Sequence, residues 1–383
     1  MDFDLGWILL GLPLAFVLGW MSSRFDIRQL RLENRQNPKA YFKGLNHLLN
    51  EQQDQAIDAF IQAVQQDPDT SELHFALGSL FRRRGEFDRA VRVHQHLLAR
   101  SDLSREEHER AQSALAYDYL KAGLLDRAEE GFTKLKHTAH DQEAQLALLS
   151  IFEKTRDWQK AFEVTKEIEP KGLGDFKTRQ AHYLCELASS ALSSTPAQLS
   201  VVERLLLQAQ ETAPHHPRAF LASADLAYSQ GQTAQAYQTL IELARRTPTC
   251  LPLLCERLLS WARALGRVKE IHTLFLSAYS THPSLDVLKA VASLEGSSER
   301  AQSLLSQHLH NHPSLLVASW WLGHEQLQHE EERAFVQKAL DQATVALNRY
   351  RCAACGFEAQ KHFWHCPGCQ AWDSYPSLRI EEL

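Results

Sequence analysis

The chain closes with two C-x-x-C pairs, Cys352-Ala-Ala-Cys355 and Cys366-Pro-Gly-Cys369, with ten residues between them. Each pair offers two sulfurs to one point, so four thiolates at this spacing close a tetrahedron around one metal ion. The candidate ligands are Cys352, Cys355, Cys366 and Cys369. The gap is shorter than in most paired zinc hairpins. Gly356 permits the backbone turn after the second ligand, and Pro367-Gly368 preforms the second turn. A site of four thiolates accepts iron or zinc, and its residues do not choose between them. Two disulfides would need an oxidising compartment, and a thioredoxin-like motif would need a βαβ context that is not visible. A module of residues 349–383 is too small to bury a core alone. Metal binding would then supply its folding free energy, on the order of 10 kcal/mol. Phe357, Phe363, Trp364, Trp372 and Tyr375 are expected to pack around the metal, with His362 and His365 as spare ligands or surface residues.

The other end reads as a membrane anchor over residues 1–23. Leu5 to Ser23 carry no charge and, as a helix, would span about 28 Å, close to the thickness of a bilayer core. Trp7 and Trp20 sit near its ends, where indoles favour the interface, and Pro13 is tolerated in lipid. A cleaved signal peptide fits poorly, because Asp2 and Asp4 replace the usual leading positive charge. Arg24, Arg28, Arg31 and Arg35 form a basic segment over 24–36, with Lys39 just beyond. Positive charge stays inside, so a single-pass protein is expected, with its N-terminus outside and the bulk of the chain cytoplasmic. The same basic face can rest on anionic headgroups or simply be a solvated flank.

Residues 37–348 have a helical composition, rich in alanine, leucine, glutamine and glutamate and sparse in glycine and proline. Small residues recur: Gly44 and Gly78 are 34 apart, as are Ala56 and Ala90, and Ala128 and Ala161 follow at 38 and 33. These spacings resemble the tetratricopeptide repeat, a helix–turn–helix in which small residues let paired helices touch. Phe60, Phe81, Tyr119 and Phe132 are expected to fill the gaps. Asp67-Pro68, Thr247-Pro248, His282-Pro283 and His312-Pro313 read as turns between units. About nine units are expected, one with an added loop at Ser193-Ser194-Thr195-Pro196. The fold class is all-α: a tetratricopeptide-repeat superhelix between an anchor helix and a small metal module. Stacked repeats present an extended binding surface. Tyr41, Phe75, Arg82, Arg83, Tyr117 and Lys121 are the side chains expected on it.

No phosphate loop, dinucleotide fingerprint or nucleophile elbow appears. With a net charge of −6 and no basic stripe beyond the anchor flank, nucleic acid is not an expected partner. The 19 histidines read mostly as polar faces and turns, as at His94/His96, His215/His216 and His308/His310/His312. Cys185, Cys250 and Cys255 read as buried, inert thiols, and Trp320-Trp321 as a contact for the metal module. Four protein ligands leave a metal no open position, which argues against an enzyme.

Together, the LGWILLGLPLAFVLGW anchor, the YFKGLNHLLNEQQDQAIDAF region and the terminal YRCAACGF with WHCPGC resemble the lipopolysaccharide assembly protein B family of Gram-negative bacteria. The resemblance implies a rubredoxin-like tail whose ligands are the four cysteines named above. The ten-residue gap is far shorter than in true rubredoxins, which favours a structural metal over electron transfer. It also implies an inner-membrane adaptor that regulates lipopolysaccharide biosynthesis. Such an adaptor promotes degradation of the committed lipid A deacetylase, LpxC, by the ATP-dependent membrane protease FtsH. The inner-membrane regulator PbgA/YejM and other lipopolysaccharide assembly proteins are further implied partners. Repeats and anchors both commonly self-associate, so a homo-oligomer is admitted. A metal- or redox-sensing scaffold, or another envelope assembly factor, are the alternatives.

Overall fold

The computed structural model describes residues 16–20, 42–66, 70–295, 297–324 and 330–383. Of the anchor expected over 1–23, only 16–20 is described, as helix; the rest of it, the basic segment and Tyr41 lie outside the described residues. Among the described residues, no helix is long and apolar enough to cross a membrane. The chain divides into two compact units, one ending at Thr155 and one beginning at Arg156.

In the first unit, residues 42–49 are helical and are followed by Gln53–Gln66, Ser71–Arg84, Phe87–Leu98, Arg105–Lys121, Leu125–Thr133 and Asp141–Thr155. Ser104 opens the longest helix with a reciprocal cap: its hydroxyl accepts the Glu107 N–H, and the Glu107 carboxylate accepts the Ser104 N–H. Gly85 ends Ser71–Arg84 at φ +83°, a conformation that costs glycine nothing. Ala56, Phe60, Leu77, Phe81 and Ala90 form one core, so the small and large positions of the repeat pattern meet inside it.

Gly78 matters for a reason the repeat pattern does not state. A Cβ there would lie 2.5 Å from the ring of His94. His94 is fully buried, not on a polar face, and its Nδ1 lies 2.5 Å from an equally buried Asp118 oxygen. Arg82 donates to the other Asp118 oxygen at 2.8 Å, so the carboxylate is paired and the imidazole anchored. Gly78→Val forces that anchored ring aside. The expected loss is about 3 kcal/mol, read as a fall in the urea midpoint of the first unit.

This arrangement corrects part of the expected binding face. Arg82 is held by Asp118 and the Ala114 carbonyl, and Phe75 is buried with the Arg110 guanidinium 4.1 Å from its ring centre. Tyr117 packs edge-on against Phe132, while Arg83 and Lys121 are exposed.

The second unit continues the helical pattern. Its helices are Trp158–Ile168, Lys177–Leu192, Leu199–Thr212, Pro217–Ser229, Thr233–Arg246, Leu251–Ala264, Val268–Thr281, Leu285–Ala292, Ser298–Asn311, Leu315–His324 and Glu330–Thr344. Pro217 starts one helix at its first turn, where its missing N–H costs nothing. Pro283 and Pro313 follow helix ends, and Ser284 then caps the next helix through the Val287 N–H. Tyr237, Leu240, Leu254, Leu258, Ile271 and Phe275 fill the largest core cluster. Cys185, Cys250 and Cys255 are buried as expected; burial pushes the first two thiols up to about 11 and about 12 and raises the third as well. Trp320 and Trp321 pack on the cluster of Leu285, Leu288, Leu305, Leu316 and Val317 within the last repeats, so the expected contact with the metal module falls to other tryptophans.

After the helices comes a two-stranded antiparallel ribbon, Tyr350–Arg351 against Glu358–Ala359. Beyond it, the last residues strap the start of three successive repeats. Ser377 donates to the Thr249 carbonyl at 2.7 Å. Glu382 accepts the Leu285 N–H at 2.7 Å, and Glu381 accepts the Leu315 N–H at 2.5 Å. Helix N-termini have unpaired donors and a positive dipole end, which is what a carboxylate satisfies. Arg379 adds a two-toothed pair with Asp286 at 2.9 and 3.0 Å and lies 4.2 Å from the centre of the Tyr350 ring.

Candidate metal centre

The two cysteine turns are built alike. In the first, Cys352 N–H donates to the Phe357 carbonyl and Gly356 N–H to the Cys352 carbonyl, with Gly356 at φ +77°. In the second, Cys366 N–H donates to the Ala371 carbonyl and Gln370 N–H to the Cys366 carbonyl, with Gln370 at φ +60°. The left-handed position after each second cysteine is thus glycine once and glutamine once. Gly368 answers a different need: a Cβ there would press on the Phe357 ring at 3.3 Å.

The turns bring all four sulfurs within 4.8 Å of one another. Cys352 and Cys369 are 3.8 Å apart, and Cys355 and Cys366 are 3.7 Å apart. A tetrahedron with metal–sulfur bonds of about 2.3 Å has edges of about 3.8 Å, so the donor set fits one tetrahedral ion. Cys352 and Cys366 are buried, whereas Cys355 and Cys369 face solvent. Burial works against the Cys352 thiolate, but the Ser374 hydroxyl and the amides of Cys355 and Ala354 outweigh it and hold the thiol down to about 6. Burial likewise opposes the Cys366 thiolate, and the amides of Cys369 and Gly368 bring it down. At Cys355 the Phe357 amide favours the thiolate, but desolvation and the three neighbouring sulfurs push the thiol up to about 12. Thiolates crowded this closely repel one another, and a cation at their centre removes that cost.

The small core beside the metal is Tyr350, Cys352, Cys366 and Tyr375. This corrects the expected aromatic shell. Phe357 and Phe363 sit at the module's surface, 44% and 38% exposed, with the Phe357 ring against Gly368 and the Phe363 ring 5.9 Å from that of Tyr375, and Trp364 and Trp372 face the repeats. The Trp372 ring stacks between His182 at 4.6 Å and His365 at 4.2 Å, and meets Trp158 and Tyr183 edge-on at 5.7 and 5.9 Å. His362 contacts the Tyr375 carbonyl at 3.0 Å, and neither His362 nor His365 joins the sulfur cluster.

Asp373 makes the second docking contact. Its two oxygens meet Nε2 of His182 at 2.8 Å and Nε2 of His216 at 3.0 Å. Two imidazoles and a carboxylate suggest a second metal site, but the proton positions oppose it. The Arg218 guanidinium donates to His182 Nδ1 at 3.0 Å, and the Arg218 backbone N–H to His216 Nδ1 at 3.4 Å. With both Nδ1 atoms accepting, both Nε2 atoms carry hydrogen and donate to Asp373, leaving no lone pair for a metal. The group is a hydrogen-bonded clamp between the module and the helices Lys177–Leu192 and Pro217–Ser229. The sequence reading missed it. His216 and Trp372 had been noted, but only as a turn residue and as a metal-shell aromatic.

The clamp titrates. Burial pushes His182 down to about 4, against the pull of Asp373. Burial disfavours the Asp373 carboxylate, yet its bonds to His182 and His216 hold it well below the usual carboxylate range. The unfolded chain's histidine takes a proton near pH 6.5. Between about 6.5 and 4 the unfolded state therefore holds a proton that the folded state refuses. The stability tied to neutral His182 is complete above that window and drains as pH falls through it, by at most about 1.4 kcal/mol per pH unit. From pH 7 to 5, the urea midpoint should fall more steeply for the native chain than for His182→Gln. Parallel slopes would contradict the clamp.

The fold and the site define a class: a helical-repeat protein of the tetratricopeptide type, with a four-thiolate ribbon for one metal ion docked on its repeats. The tetratricopeptide repeat model matches residues 73–108, and a rubredoxin metal binding domain model matches residues 350–375. The chain is 30% identical over 382 residues to lipopolysaccharide assembly protein B of Escherichia coli K12, covering 97% of this chain and 98% of the relative. It is 28% identical over 395 residues to the protein of that name from Haemophilus influenzae, covering 98% of each. The chain belongs to the lipopolysaccharide assembly protein B family. Among solved structures, a tetratricopeptide repeat protein from Parabacteroides merdae aligns over 67% of this chain and 98% of its own at TM-score 0.35 and 17% identity, too distant to bear on function.

Proposed function

We propose that the chain is a membrane-anchored adaptor, without catalytic activity of its own, that restrains lipopolysaccharide synthesis. It would bring the committed lipid A deacetylase, LpxC, to the ATP-dependent membrane protease FtsH, with PbgA/YejM acting on the anchor. Membership of the lipopolysaccharide assembly protein B family over nearly the whole chain carries this reading. The organisation expected from the sequence is compatible with it: an anchor at 1–23, a basic segment at 24–36, repeats at 37–348 and a metal module at 349–383. Tethering a repeat array beside a membrane protease raises the effective concentration of whatever the array holds, without any new contact. Cys352, Cys355, Cys366 and Cys369 would hold one iron or zinc ion. Four protein ligands leave that ion no place for water or substrate, so its role is to hold the module folded against the repeats.

The test is crosslinked affinity purification of the intact chain from native membranes, with the bound proteins identified by mass spectrometry. Recovery of both the protease and the deacetylase is the expected result. Recovery of neither, with other envelope factors in their place, overturns the proposal.

A further inference from the structure

The four sulfurs of the module differ in access. Cys352 and Cys366 are 1% and 0% exposed, whereas Cys355 and Cys369 face solvent. Each exposed sulfur touches a buried one of the other turn: Cys369 lies 3.8 Å from Cys352, and Cys355 lies 3.7 Å from Cys366. The approach to the exposed pair is open and uncharged. Ala353, Ala354, Gly356, Pro367 and Gly368 beside them are all exposed, and neither 352–357 nor 362–372 contains Asp, Glu, Lys or Arg. The other three thiols, Cys185, Cys250 and Cys255, are buried inside the repeats. A small neutral oxidant therefore reaches two sulfurs of this chain before any other.

We infer that Cys355 and Cys369 are oxidation sites, and that hydrogen peroxide acting on them unlatches the module from the repeats. The inference rests on the metal site of the proposed function and not on the adaptor's partners. An exposed thiolate attacks one peroxide oxygen, the O–O bond breaks, and hydroxide leaves, giving a sulfenic acid. The buried thiolate in contact with it then attacks that sulfur, an S–S bond forms, and a second hydroxide leaves. Two thiolates have lost two electrons, and the peroxide has gained them. The disulfide spans the turns, as Cys352–Cys369 or Cys355–Cys366, and either one takes two of the four donors from the ion. What remains is a ribbon of two two-residue strands with a single cross-link, too small to bury a core of its own. Trp372 and Asp373 follow Cys369 by three and four residues. The turn that loses the ion is therefore the one that carries the ring stacked on His182 and the carboxylate that holds His182 and His216.

The full-length chain, purified in detergent and loaded with zinc, is treated with hydrogen peroxide. Zinc release is read with a chromogenic chelator, sulfenic acids are trapped with dimedone, and disulfides are located by peptide mass spectrometry. Dimedone should mark Cys355 and Cys369, and zinc should leave as cross-turn disulfides form, while Cys185, Cys250 and Cys255 stay reduced. Amide hydrogen exchange should quicken in Trp158–Ile168 and Lys177–Leu192 as the zinc leaves, and reductant with added zinc should slow it again. The comparison protein carries Cys355→His and Cys369→His, which leaves two sulfurs and two imidazoles, a donor set that also holds zinc. Its metal content is measured first, and its release by peroxide should be about tenfold slower or more, because the remaining thiolates are buried. If it binds no zinc, trapping and mapping on the native chain decide alone. Dimedone on Cys352 or Cys366, disulfides confined to one turn, equal oxidation of the three repeat thiols, or unchanged exchange after zinc release overturns the assignment. If peroxide acts as expected but crosslinking recovers neither the protease nor the deacetylase, the switch stands and the proposed partners fall. If both partners are recovered and peroxide leaves the zinc in place, the adaptor reading stands and the switch falls.

Discussion

Replacing Cys366 with alanine is expected to drop bound metal well below one ion per chain and to lower the melting temperature of the second unit by about 10 °C. Cys366 is fully buried, and its loss opens one corner of the sulfur tetrahedron. Structural zinc contributes about 10 kcal/mol or more to small four-ligand domains, so the module unfolds when the ion leaves. The repeats then lose what the module gives them: the Asp373 clamp, the Trp372 contact and the strap on the Leu285 and Leu315 helix starts. If docking is worth about 3–4 kcal/mol, at roughly 3 °C per kcal/mol for a unit of this size, the shift is near 10 °C. Elemental analysis and calorimetry on the same sample check both halves. Full metal occupancy with an unchanged melting temperature would contradict the coupling.

Trp372→Ala should separate docking from metal binding. The indole stacks on His182 and meets Trp158 and Tyr183, and its loss leaves a cavity at the junction worth about 3 kcal/mol. The four thiolates and the amides around them remain, so one ion per chain should be retained. Amide hydrogen exchange should quicken in Trp158–Ile168 and Lys177–Leu192, the helices that face the indole. Loss of the metal in this variant would mean that docking and the metal site are one cooperative structure.

The metal centre was legible because its information is local. Each C-x-x-C pair fixes its own turn, and two such turns leave few arrangements for four sulfurs. The repeats were legible because Gly78 and Ala90 stand at fixed distances from Gly44 and Ala56. The docking of the module was not legible. His182 and Asp373 are 191 positions apart, and neither carries a local mark of its partner. A Trp-Asp pair beside a ligand cysteine reads as metal shell or surface until the array is folded around it. His94 was misplaced for a similar reason: its room is made by a missing side chain at Gly78, on another helix. The anchor reading rests on hydropathy, most of it over residues outside those described.

The most direct test of the proposed function is the half-life of the lipid A deacetylase in cells that lack this chain, measured after protein synthesis is stopped. Re-expressing the native chain should shorten the half-life, and Cys366→Ala should not. A half-life that is the same with the native chain, with the variant and without either would contradict the adaptor reading, whatever the metal site and the repeats do.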